Sequence, residues 1–154
     1  MTQQDMLASL NPLACAAAQE VVAAGGVLTS AKRDLDAQAS AMAADTVLDR
    51  QFIQNTYKHP LCPVAVALQA CADANPTQDQ AGLTALFLGV MAGFSDADLE
   101  LLSAHLGGNA FDIAPDPSLA AVCQAVVAKR LAQGGKALFL QKEGTLVRYH
   151  LQIW

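Results

Sequence analysis

Charged and aromatic residues are both scarce in this sequence: 15% are Asp, Glu, Lys or Arg, and 5% are Phe, Trp or Tyr. A charged fraction well under the usual quarter has one of two consequences. Either Ala, Gln, Ser and Thr fill the solvated surface, or a partner covers part of it. The motifs that announce a reaction are missing too. There is no GxGxxG, GxxxxGK(S/T), GxSxG, HExxH or paired CxxC, so the signatures of dinucleotide and phosphate binding, of the nucleophile elbow and of zinc peptidases are absent. The most apolar run, AGLTALFLGVMAGF at 81–94, is too short to span a bilayer. The start, MTQQDMLASLNPLA, lacks the basic and then apolar segments of a secretory signal. These features predict a soluble, cytoplasmic protein. Cys15, Cys62, Cys71 and Cys123 are then reduced thiols, and their irregular spacing resembles neither a disulfide framework nor a zinc ribbon.

What is present is apolar and helix-forming. Hydrophobic residues make up 53% of 154 positions, enough for the core of one domain spanning 1–154. Charge is polarised. Four basic and thirteen acidic residues precede Ser118, whereas Lys129, Arg130, Lys136, Lys142 and Arg148 follow it against Glu143 alone. Such asymmetry points to different partners for the two ends, or to attraction between them.

Asn11-Pro12 reads as an N-cap followed by a first-turn proline, and Gly25-Gly26 as the stop of that helix. Ser30 is the candidate cap of a long helix reaching Tyr57, which ends before His59-Pro60 because the residue preceding proline disfavours the α region. Pro63 opens a third helix, ended by Asn75-Pro76. Thr77/Gln80 and Ser95/Asp98 have capping-box spacing. The helix at 78–93 is apolar nearly all round and is placed centrally. The next stops at Gly107-Gly108, and Phe111 and Ile113 mark a short strand. Leu119, Val122, Cys123, Val126, Val127 and Arg130 fall at helical spacing before Gly134-Gly135. The period then changes: KALFLQK and TLVRYHLQI are strand-like around a tight turn at Glu143-Gly144.

The predicted fold is α+β and mainly helical. About six helices pack around the 78–93 helix, with a C-terminal antiparallel hairpin at 136–153. A lone hairpin is marginal; 26–29 and 109–114 are candidate third strands. AAAQEVVAA at 16–24 echoes AVCQAVVAK at 121–129, each followed by a glycine pair. This is read as coincidence between Ala- and Val-rich helices.

Candidate sites are few. His59, Cys62 and Cys71 have donor types that suit zinc, but their spacing matches no common zinc pattern. Cys62-Pro63 resembles the Cys-Pro element of some haem-responsive regulators, which would make a thiolate the axial ligand. Cys62 at a helix N-terminus, beside Lys58 and His59, has the surroundings of a low-pKa thiol; the alternative is a small buried hydrophobe in a turn. No metal or cofactor is predicted. His105 reads as a helix C-terminal cap, and Asp112 and Asp116 as turn residues. A basic helix followed by a hairpin resembles a winged helix, although an acidic remainder repels phosphate.

The leading expectation is a non-enzymatic bacterial accessory, adaptor or chaperone-like protein. It binds an unidentified protein partner and itself, as a homodimer, through an apolar terminal strand treated as an edge. Phe139, Leu146, Val147, Tyr149, Leu151 and Trp154 form the expected surface. The alternatives are a thiol-based or small-ligand sensor or enzyme at Cys62 and His59, and a nucleic-acid-binding regulator.

Overall fold

In a computed structural model, residues 1–58, 60–143 and 146–154 are described, the side chain of Leu146 excepted. They contain eight α-helices, a 3₁₀ turn and four strands. The fold is α+β and mainly helical, and it ends in an antiparallel hairpin. The chain divides into two compact units: a sheet unit, Met1–Lys32 with Gly107–Trp154, and a helical unit, Arg33–Leu106. Each unit has its own hydrophobic cluster.

The sheet unit begins with α1 (Gln3–Ser9), capped by a reciprocal Thr2–Asp5 box, then α2 (Pro12–Ala23) and β1 (Leu28–Ser30). It resumes with β2 (Ala110–Ile113), a 3₁₀ turn at Pro117–Leu119, α8 (Ala120–Ala132), β3 (Ala137–Glu143) and β4 (Leu146–Ile153). Asn11 caps α2 as its sequence implies, accepting from the Ala14 N–H at 3.0 Å. The strands are antiparallel in the order β1-β2-β4-β3. Both candidate third strands therefore join the hairpin, and β4 lies inside the sheet. Phe111, Ile113, Tyr149, Leu151 and Ile153 share one face by alternation and form the cluster with Val21 of α2 and Cys123 and Val126 of α8.

The sequence echo is structural, contrary to the reading as coincidence. α2 and α8 end in the same Schellman motif. The Gly25 and Gly26 N–H groups donate to the Val22 and Val21 carbonyls, and those of Gly134 and Gly135 to the Leu131 and Arg130 carbonyls. Gly25 and Gly134 sit at φ +97° and +78°, a region that favours glycine. Each cap leads into an edge strand, β1 or β3, and then a central one, β2 or β4. The order β1-β2-β4-β3 is thus two helix–strand–strand halves facing each other.

The helical unit contains α3 (Leu35–Leu48), α4 (Phe52–Thr56), α5 (Pro63–Ala74), α6 (Gln80–Met91) and α7 (Asp96–Leu102). α6 supplies Leu83, Phe87 and Met91, all fully buried against Met42, Ile53 and Leu68. It is central to this unit, while the sheet packs against α2 and α8. Three caps and ends differ from expectation. Ser30 belongs to β1, and Asp34 caps α3. Asp79 caps α6 in place of Thr77, accepting from the Gly82 N–H at 2.8 Å. The expected helix to Tyr57 breaks at Asp49–Gln51. There the Gln69 side chain donates to the Arg50 carbonyl at 2.9 Å and accepts from the Gln54 N–H at 3.1 Å, offering the backbone partners that a continuous helix would otherwise provide. Gln69→Leu leaves both groups without these partners and is expected to cost about 1–3 kcal/mol in urea unfolding. A loss near zero would show that the break does not depend on Gln69.

Candidate functional site

The hairpin surface expected from the sequence splits into core and rim. Tyr149 and Leu151 are buried in the cluster of the sheet unit, with Phe139 half-buried beside them. The Phe139 and Tyr149 rings meet edge-to-face at 5.2 Å. Val147 and Trp154 are exposed. Leu146 pairs opposite Glu143 through its backbone; its side chain and the Gly144 turn residue lie outside the described residues. The division follows from β4 being central: β2 pairs with the side of β4 that was read as a free edge. The rim moves to β3.

The outer edge of β3 can be read from the ladder. The Ile153 N–H donates to Asn109, on the β2 side, at 2.8 Å, and the Trp154 N–H donates to Lys136, on the β3 side, at 2.9 Å. Antiparallel ladders alternate direction residue by residue. With Ala137 opposite Ile153 and Leu138 opposite Gln152, Lys136, Leu138 and Leu140 direct their backbone groups toward β4. Ala137 and Phe139 direct theirs outward, and no described strand pairs with that side. A groove of about 510 Å³ runs there, lined by Val127, Ala128 and Leu131 of α8 and by Leu138, Phe139 and Gln141 of β3. The α8 residues lie at i, i+1 and i+4, a stripe distinct from the inward Cys123 and Val126. Leu131 is 51% exposed and Leu138 40%. Lys136 and Lys142 lie toward the two ends of β3, and neither has an ion-pair partner among the described residues. By contrast, Lys129 pairs with Glu20 at 2.6 Å and Arg148 with Glu143 at 3.1 Å.

The matching edge, β1, is closed. The Gln3 side-chain amide donates to the Leu28 carbonyl at 2.7 Å and accepts from the Leu28 N–H at 2.8 Å. Counted from the glycine pairs, Leu28 is the counterpart of Ala137, and Val27, whose carbonyl accepts from Ala114, is the counterpart of Lys136. One planar amide thus supplies the donor and acceptor that a neighbouring strand would supply. Nothing in the sequence around Gln3 announces this.

A buried polar cluster on the opposite sheet face was also missed. His150 donates from Nδ1 to Asp112 Oδ1 at 2.7 Å, and its Nε2 lies 2.9 Å from the Gln152 amide nitrogen. Glu143 is 3.6 Å from the same ring. Asp112 and His150 are 2% and 3% exposed and directly opposite in the β2–β4 register, so Asp112 is a strand residue, not a turn residue. The alternation Phe111–Asp112–Ile113 against Tyr149–His150–Leu151 carried the signal: two polar residues, each flanked by core residues, of the types that pair. Asp112 and the Gln152 amide thus stand at the two ring nitrogens of His150 and fix the orientation of the ring.

Cys62 is the N-cap of α5, where Pro63 was expected to open a helix, but it is 3% exposed and packed into the helical cluster. His59 lies outside the described residues. Cys71 is half-buried on the same helix, and burial raises its thiol pKa. His105 falls three residues past the end of α7 and is buried. Burial pushes the Cys123 thiol to about 11. In the native chain, alkylation at pH 8 is expected to leave Cys62 and Cys123 unmodified while denatured protein reacts fully. Rapid native modification of Cys62 would revive the reactive-thiol reading. The Cys123 pKa is raised on folding, so its contribution to stability is complete below the unfolded thiol value of about 8.5 and is lost as pH rises toward about 11. Cys123→Ala should flatten that alkaline slope in unfolding measured from pH 8 to 11.

No helix among the described residues is long and apolar enough to cross a membrane. Comparison with protein-family models, with curated proteins and with solved structures finds no match.

Proposed function

We propose that this chain works by binding another protein, as a small cytoplasmic accessory or chaperone-like factor and not as an enzyme, through the outer edge of β3 and the groove it forms with α8. The observation that carries the reading is the contrast between the two sheet edges. The β1 edge is closed from within by Gln3, the kind of protection that prevents unwanted pairing. The β3 edge keeps outward backbone groups beside an apolar groove, the arrangement used when a partner adds a strand. Self-association, expected from the sequence through an apolar terminal strand, would use this same edge.

A photo-crosslinking residue placed at Leu138, in the cells that make the protein, is expected to capture a discrete protein adduct that Leu131→Glu abolishes. The same residue at Leu48, exposed in the helical unit, should not give that adduct. Identical capture from both positions would contradict the assignment of the site.

A further inference from the structure

The two edges of the sheet unit specify what the open one would hold. At β1 the occupant is a single amide bracketing Leu28, supplied by Gln3 from α1. At β3 the counterpart residue, Ala137, is followed two positions on by a second outward residue, Phe139, so the open edge is long enough for backbone pairing at two successive sites. The α8 stripe Val127, Ala128 and Leu131 borders this edge, so a strand laid against β3 would turn every second side chain toward apolar surface. Charge then separates the occupants. In the two-fold register of β3 with a second copy that is centred on the outward residue Phe139, Lys136 of each copy stands against Lys142 of the other. Like charges directly opposite one another are destabilising. The same two lysines suit carboxylates at the ends of a heterologous strand, and they lie in the one segment of the chain that is rich in basic residues.

Resting on the protein-binding reading above, we infer that the β3 edge takes an extended segment of a different protein, apolar at alternate positions toward α8 and acidic at the positions opposite Lys136 and Lys142. The β3 backbone supplies affinity, the α8 stripe sets which alternate residues are apolar, and the lysines set charge preference and the rate of encounter.

The probe is a disulfide-closed hairpin peptide, preorganised to limit the entropy of ordering, whose outer strand reads Glu-Val-Thr-Val-Thr-Val-Glu, so that the Val residues face α8 when the Glu residues stand opposite Lys136 and Lys142. A control carries Lys in place of both Glu. Each is labelled and titrated with the intact chain by fluorescence anisotropy, with hydrogen exchange of the Ala137 and Phe139 amides followed in parallel. The Glu peptide should bind about tenfold more tightly than the Lys peptide at low salt. The preference should shrink as salt rises, and both amides should slow on binding. Leu131→Glu or Leu138→Glu, each at an exposed position, should abolish binding while leaving the circular dichroism spectrum unchanged. Equal affinity for the two peptides, with the amides protected, would overturn the acidic partner and leave the edge as a docking site. A chain that sediments as a dimer, dissociates with Leu131→Glu and binds neither peptide has a second copy as its occupant, which also overturns the inference. A monomer that binds neither peptide would overturn both the inference and the reading beneath it.

Discussion

Phe87→Ala is expected to lower the stability of the helical unit by about 3–5 kcal/mol, the range for truncating a fully buried aromatic ring. The ring is 0% exposed at the middle of α6, in a cluster with Met42, Ile53, Leu68 and Met91. Those neighbours come from α3, α4, α5 and α6 itself, so relaxation of one helix cannot fill the space left behind. Leu101, 62% exposed on α7, is the control; its replacement by Ala should change stability by no more than about 0.5 kcal/mol. Urea unfolding at constant m-value reads both. Similar losses for the two variants would mean that α6 is not the centre of its unit.

His150→Leu is the second large effect, again about 3–5 kcal/mol, because it takes from the buried Asp112 carboxylate the Nδ1–H that donates to it at 2.7 Å. The hydrogen bond itself contributes far less than this. Most of the loss is the cost of leaving a buried carboxylate without this donor. That asymmetry gives a sharper test than either single change. Adding Asp112→Val to His150→Leu removes that carboxylate as well and should recover part of the lost stability, since replacing both partners by apolar groups is often close to neutral. Both replacements suit a strand. Asp112→Asn, which keeps an acceptor for Nδ1–H, should lose less than His150→Leu. Strict additivity of the two substitutions would contradict a direct pairing.

The parts of this fold legible in the sequence are those fixed within a few residues. Asn11-Pro12 and Pro63 open helices because capping and a preset φ are local chemistry. The glycine pairs at 25–26 and 134–135 end helices because only a left-handed residue closes the Schellman bonds. The change of period after Gly135 gives the hairpin. What could not be read depends on contacts between distant residues. The break at Asp49–Gln51 needs Gln69 from α5. The choice of Asp34 over Ser30 needs β1 to pair with β2, which takes residue 30 into the sheet. The core role of Tyr149 and Leu151 needs β2 to lie beside β4, and that depends on pairing across roughly forty positions, so an apolar final strand looked like an exposed rim. Asp112 and His150 each looked ordinary alone, and only their register joins them. The echo at 16–24 and 121–129 was visible, but its meaning lay in two sets of cap hydrogen bonds and in the mirrored strand order.

The measurement that bears most directly on the account is site-resolved amide hydrogen exchange along β3 in the isolated chain. The account predicts alternation: Leu138 and Leu140, directed at β4, strongly protected, and Ala137 and Phe139 exchanging at close to unprotected rates until a partner strand is added. Uniform protection of all four in the isolated chain would mean that this edge is already occupied, and the contrast with the Gln3-closed edge would no longer identify a docking site.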